Sequence, residues 1–155
     1  MADKKAMPYA AATVMEIQRI ANVLQQNVPR VTTVDTVVQG FSIPEGTFVD
    51  GDIHTIMAHS AVFERPTEFR PERYLEEDGT TFRKELIEQT TPFSIGKRQC
   101  AGEALARVEL FLGLTSMVQH YKFLPCEGAE IDLEPKPGII MLPKEQNIRL
   151  ERVTA

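Results

Sequence analysis

The rhythm of apolar and polar positions changes several times along the chain. From Pro8 to Leu24 good helix formers dominate, among them Ala10, Ala11, Ala12, Met15, Glu16 and Gln18. Pro8 suits a first helical turn and Pro29 closes the segment, so a helix is predicted over 8–24. Residues 31–53 are β-rich: Val31–Val34, Thr36–Phe41 and Thr47–Ile53 carry β-branched and aromatic residues, and Ile43-Pro-Glu-Gly46 reads as the turn of a hairpin. Over 60–92 no period survives. Phe63, Phe69, Tyr74, Leu75 and Phe82 are spaced among Pro66, Pro71, Gly79 and many charges, which predicts a coil packed against something, because a linker has nothing to bury. One short helical turn is expected near Lys84–Gln89. A second helix is predicted over 103–120, with Leu105, Val108, Leu112 and Thr115 near one face and Glu103, Arg107 and Glu109 largely elsewhere. Leu110, Phe111, Leu114, Met117 and Val118 widen its apolar side, so it is expected to be mostly buried. Over 138–153 a terminal hairpin is predicted, turning around Lys144–Asn147, with Ile148–Val153 alternating weakly as a strand. The elements together predict a mainly α chain with small antiparallel β-sheets (α+β) in a single partial domain.

Composition narrows the class. A chain of 155 residues that is 43% hydrophobic and 25% charged has the makings of one globular core. The net charge of -5 argues against nucleic acid as a partner. The first residues are charged and run into Pro8 with no apolar stretch behind them, so no secretory signal is expected. Leu110–Val118 is interrupted by Gly113, Thr115 and Ser116, far short of the ~20 residues of a membrane helix. The chain therefore reads as soluble or peripheral. Cys100 and Cys126 form neither a disulfide framework nor a zinc spacing. His54, His59 and His120 read as surface or packing residues.

The chemistry concentrates at Pro92-Phe-Ser-Ile-Gly-Lys-Arg-Gln-Cys-Ala-Gly102. Here a cysteine enters from a Gly-containing loop immediately before a strong helix. Unpaired backbone N–H groups and the dipole at a helix start favour an anion, which for Cys100 is the thiolate, and Lys97 and Arg98 add positive charge. Gly96 and Gly102 let the backbone turn tightly and approach a flat object. An isolated cysteine in such a place is most often simply buried; so many constrained features together reverse those odds.

Phe93-x-x-Gly96-x-Arg98-x-Cys100-x-Gly102 resembles the heme-binding loop of the cytochrome P-450 family at each defining position. The resemblance implies that Cys100 is the axial thiolate ligand of the iron of heme b (iron protoporphyrin IX), a ligation for which this family is the standard instance. It implies that Arg98 pairs with a heme propionate, that Phe93 shields the thiolate from water, and that Gly96 and Gly102 shape the loop. Glu16-Ile-Gln-Arg19 resembles the family's Glu-x-x-Arg pair, and Phe69-Arg-Pro-Glu-Arg73-Tyr the segment that supplies a third partner. By itself a Glu–Arg pair at i and i+3 is a solvated contact worth a few tenths of a kcal/mol. Flanked by Val14, Met15, Ile17 and Ile20, and joined by Arg73, it is implied to be a structural network that locks the Cys loop. Val28-Pro-Arg30-Val-Thr resembles the strand lining the heme edge and the substrate pocket. Arg30 is then either a propionate contact or an exposed strand-end arginine. Ile139 and Ile140, with Val28 and its neighbours from Val23 opposite, are either pocket wall or plain core.

The resemblance covers nearly the whole chain and corresponds to the C-terminal, heme-binding portion of the P-450 fold: a K-type helix (8–24), a β-rich segment (31–53), a packed coil (60–92), the Cys loop (93–102), an L-type helix (103–120) and a terminal hairpin (138–153). It implies a heme-thiolate monooxygenase of microsomal type that inserts one atom of O2 into a lipophilic small molecule such as a steroid, fatty acid or xenobiotic. Electrons would come from a flavoprotein reductase or another donor such as a ferredoxin. The location would be the endoplasmic reticulum membrane, reached only through an N-terminal anchor that has no counterpart here. The family's central helix, with its proton-delivering pair, also has no counterpart, and Met1 standing just before the first helix suggests a truncated product. Two other readings follow from the residues: a non-catalytic fragment with weak or no heme binding and an exposed apolar face, and a redox-active thiol at Cys100.

Overall fold

The computed structural model describes residues 6–136, 138 and 140–153. Helix α1 (Pro8–Ile20) starts on its proline and is the centre of the fold. Ala11, Ala12, Val14, Glu16, Gln18 and Arg19 are buried in it. It is shorter than the predicted 8–24. The backbone beyond Ala21 leaves the helix to pair with the C-terminal segment: Leu24 forms a bridge with Ile140, and the Met141 amide donates to the Val23 carbonyl at 2.9 Å. Tertiary pairing has overridden local propensity there.

The β-rich segment forms two separate two-stranded antiparallel ladders, β1 (Arg30–Val31) with β4 (Phe48–Val49) and, inside them, β2 (Thr36–Val38) with β3 (Phe41–Ile43). The hairpin turn falls on Gln39–Gly40, within the run expected to be one strand, and not on Ile43–Gly46. Both turn residues have positive φ, 49° and 87°, as a tight two-residue hairpin demands. The Pro44–Gly46 turn joins β3 to β4 instead, held by Thr32 Oγ1 and Thr47 Oγ1, each donating to the Pro44 carbonyl at 2.7 Å. Of the stretch Thr47–Ile53 only Phe48–Val49 is strand.

A single π-helical turn (Thr55–His59) leads into the long coil, which the sequence pattern did not reveal. The coil packs as predicted. Phe63 and Tyr74 are fully buried, a 3-10 turn spans Pro71–Tyr74, and α2 (Lys84–Gln89) lies where the short helix was expected. Tyr74 donates or accepts at Thr90 Oγ1, 2.7 Å away, and burial pushes its phenol up to about 12. His54 and His59 sit edge to face, ring centroids 5.1 Å apart.

Helix α3 (Glu103–His120) has the predicted limits but not the predicted burial. Phe111, with Leu114 beside it, packs against Ala11 and Val14 of α1, while Leu105, Leu112 and Val118 lie more than half exposed. Its broad apolar side is present but uncovered. Among the described residues no helix is long and apolar enough to cross a membrane. The C-terminal strands also differ from expectation. Strand β8 (Ile148–Arg152) pairs with β5 (Tyr121–Pro125), directly after α3, and not across a turn at Lys144–Asn147. The short ladder between them is β6 (Pro135–Lys136) with β7 (Leu142–Pro143).

The elements meet at one carboxylate. Glu16 is fully buried and accepts from Arg19 Nε and Nη2, both at 2.9 Å, from Arg73 Nε at 3.1 Å, and from the Arg70 amide at 2.8 Å. The guanidiniums are satisfied in turn. Arg19 Nη1 donates to the Met57 carbonyl at 2.8 Å, and Arg73 Nη1 and Nη2 donate to the Glu64, Arg65 and Glu68 carbonyls. Arg19 also lies over the Phe63 ring, 5.2 Å from its centroid. Burial alone would push the Glu16 carboxyl up, but the Arg19 hydrogen bonds, the Arg70 amide and the two positive charges outweigh it and hold it below its ordinary 4.5.

Two outcomes are expected. Glu16→Gln strands two buried guanidiniums and should lower stability by about 3–5 kcal/mol in urea unfolding. Because the folded carboxyl sits below its unfolded value, its contribution is complete above about pH 4.5 and is lost as pH falls through the lower folded value. An acid titration followed by circular dichroism should therefore show a stability loss below that pH that Glu16→Gln no longer shows.

Candidate functional site

The segment Phe93–Gly102 folds as a closed loop. The Ser94 amide donates to the Thr91 carbonyl and the Cys100 amide to the Phe93 carbonyl, both at 3.0 Å, which brings the two ends of the loop together. A short 3-10 turn spans Gly96–Arg98. Ser94 and Gly96 have φ of 63° and 78°, so the loop turns through left-handed backbone twice. Helix α3 begins one residue after Gly102, with Glu103 in its first turn. Cys100 is thus solvent-exposed immediately ahead of the α3 start.

The predicted site residues that are described each have a definite place. Arg98 is exposed beside Cys100, and Phe93 is half-buried. Gly102 has φ of -87°, ordinary backbone, and a Cβ built on it would lie 3.8 Å from Cys100 Sγ. Arg30, on β1, is brought to the loop: its Nη2 donates to Ser94 Oγ at 3.4 Å. Glu16, Arg19 and Arg73 meet in the buried cluster described above and do not touch the cysteine. Val28 is two-thirds exposed and lines the groove described below. Ile140 is half-exposed at the bridge to Leu24, and Ile139 lies outside the described residues.

Other residues that hold the loop were not singled out from the sequence. Arg107 lies over the Phe93 ring, 5.5 Å from its centroid, and its Nε donates to Glu103 Oε1 at 2.7 Å. Gln99 Nε2 donates to the other Glu103 oxygen. Burial would push the Glu103 carboxyl up, but these two hydrogen bonds and the Arg107 charge hold it below its usual range. On the opposite side Asn27 Nδ2 donates to Ser94 Oγ at 2.9 Å. The i, i+4 spacing of Glu103 and Arg107 in the first turns of a helix is a readable signal. Asn27 meeting Ser94 across 67 positions of sequence is not.

Cys100, Phe93 and Arg98 open onto a groove of about 940 Å³ between the loop, α1, the segment Ala21–Val28 and α3. Its walls are overwhelmingly apolar, including Leu24, Val28, Ala106 and Leu110. An exposed thiol, apolar walls and two arginines at the loop suit a flat, largely apolar group that carries a soft metal-ligand position and carboxylates. The residues present therefore fit a porphyrin.

Comparison with known proteins agrees. The cytochrome P450 family model matches residues 1–150. Cytochrome P450 2U1 of Bos taurus is 38% identical over 152 residues, 98% of this chain but 27% of that protein. Cytochrome P450 2J1 of Oryctolagus cuniculus is 38% identical over 96% of the chain, and cytochrome P450 2D14 of Bos taurus 41% identical over 89%. The chain belongs to the cytochrome P450 family, and it spans little more than a quarter of the length of these curated relatives.

The loop geometry predicts opposite outcomes for its two glycines. Gly96→Val forces a branched side chain into left-handed backbone and should cost about 1–3 kcal/mol in urea unfolding. Gly102→Ala meets only an ordinary contact and should stay within about 0.5 kcal/mol of the parent.

Proposed function

We propose that this chain is the C-terminal, heme-binding part of a cytochrome P450 monooxygenase, with Cys100 as the thiolate ligand of heme b. The observation that carries the reading is an exposed thiol, ahead of a helix N-terminus, at the edge of an apolar groove. Cys100 supplies the sulfur ligand just ahead of α3. Phe93, pinned by Arg107, excludes water from the sulfur side. Arg98 offers a guanidinium fork to one propionate, and Arg30, held by Ser94, offers a second cation at the same loop. Gly102 leaves the space beside Sγ clear. Glu16, Arg19 and Arg73 act as a frame and touch neither heme nor substrate.

When bound, the heme supplies the redox chemistry by which one atom of O2 enters a substrate. That substrate is a lipophilic small molecule, of the steroid, fatty-acid or xenobiotic kind, reaching the groove past Val28. Electrons come from a flavoprotein reductase or another one-electron donor. A full-length member would sit at the endoplasmic reticulum membrane. The exposed apolar side of α3 favours a second reading, in which this length of chain alone is a non-catalytic fragment that holds heme weakly.

The ferrous, carbon-monoxide-bound spectrum of chain expressed with a heme precursor separates the readings. A red-shifted Soret band, lost in Cys100→Ala, is expected. Arg98→Leu should keep that band but retain heme about tenfold less tightly, the loss of one charge-assisted hydrogen-bonded pair. Soluble parent protein with no such band would favour the fragment.

A further inference from the structure

His54 directly precedes the π-helical turn Thr55–His59, and His59 closes it. In an α-helix, residues five apart lie about 140° from each other around the axis, so two such rings would point different ways. The wider i to i+5 turn brings the later residue back over the earlier one. The two rings accordingly meet, with centroids 5.1 Å apart and planes at 78°. Turns of this kind are found frequently at functional sites. Neither histidine lines the groove at Cys100, so the pair has no part in the site described above.

The pair is chemically unfinished. His54 Nδ1 is buried without a hydrogen-bond partner, whereas buried polar atoms are nearly always paired. His59 is exposed, so the pair is open to solvent from its side. Asp52 stands just ahead of it. Its carboxyl is held below its usual range, first by the amide and hydroxyl of Thr55, against some opposition from burial, and then by the charges of His54 and His59. Its negative charge is thus felt at both rings and favours a cation beside them. A ring nitrogen lies about 1.1 Å from its own centroid and about 2.0–2.1 Å from a zinc ion it binds, so an ion in line with one nitrogen of each ring would lie about 3.2 Å from both centroids. Centroids 5.1 Å apart then subtend roughly 105° at the ion. That is close to the tetrahedral angle of about 109° and wider than the roughly 90° of tetragonal copper or nickel. Among the described residues no third histidine, cysteine or carboxylate joins the pair to complete a ligand set.

We propose that His54 and His59 chelate a zinc ion through one nitrogen each, with water in the two remaining positions, as a clasp across the π-helical turn. Within that turn the Met57 carbonyl receives Arg19 Nη1 at 2.8 Å, so the clasp braces the frame around Glu16. It uses neither heme nor Cys100 and stands apart from the heme reading.

The test titrates zinc into the whole chain by calorimetry, in a Cys100→Ala/Cys126→Ala background so that neither thiol competes for the ion. One zinc per chain is expected. Loss of a group that only supports a metal ligand costs about 10–100-fold in affinity, so His59→Ala, which removes a ligand itself, should bind at least about tenfold more weakly. That change is exposed and leaves the core alone. His54→Ala should weaken zinc equally, while His120→Ala, which removes the remaining histidine of the chain, should bind as the background does. Excess zinc should raise the melting temperature of the background and leave that of its His59→Ala derivative unmoved. With both cysteines in place, His59→Ala should keep the carbon-monoxide-bound spectrum of the parent, which separates this outcome from that of the heme reading. The clasp is overturned by zinc affinity that is the same with and without His59, by loss of binding in His120→Ala, or by no binding at all. Half a zinc per chain, an ion bridging two copies, would overturn it as well.

Discussion

One buried carboxylate organises this chain. Glu16 could not stay charged in the interior without its partners, since the cost of desolvation exceeds what a single ion pair returns. It is therefore surrounded: two guanidiniums and a backbone amide converge on its two oxygens, and the arginines spend their remaining N–H groups on carbonyls of the coil and the π-helical turn. Irregular backbone normally stays at the surface because its polar groups need water. Here the arginines take the place of water, which is how so long a segment without regular structure packs against α1.

The consequence reaches the cysteine through a short series of contacts. Arg73 fixes the 3-10 turn, and its neighbour Tyr74 fixes Thr90 by a buried hydrogen bond. The Thr91 carbonyl then receives the Ser94 amide, and the Phe93 carbonyl receives that of Cys100. On the far side Asn27 and Arg30 hold Ser94 from the segment that follows α1. The loop is thus anchored from two directions to elements that themselves depend on Glu16. A side chain held this way keeps its position because its supports are rigid.

The same structure leaves much apolar surface open. The stripe on α3, the hairpin residues Phe41 and Phe48, and the unpaired amides of Gln18 and Asn22 all lack partners within the described residues.

The loop around Cys100 and the Glu16-x-x-Arg19 pair were legible in the sequence because both lie in residue type at fixed short spacing, and α3 because its apolar residues recur at helical spacing. The end of α1 was not legible: Ala21 and Leu24 are good helix formers, and pairing of this stretch with Ile140 and Met141 carries it out of the helix. The hairpin turn moved to Gln39–Gly40 because a two-residue turn between twisted strands needs two positive φ values, a demand stronger than the proline signal nearby. Burial of α3 was misjudged for a related reason, since an apolar face states what a helix can bury and not whether a neighbour is present. Sequence by itself determined the Cys loop motif and the Glu16–Arg19 pair, through local spacing. Tertiary structure alone decided where the helix ends, which strands pair, and that Asn27, Arg30 and Arg107 hold the Cys loop, because those depend on groups that only folding brings within reach.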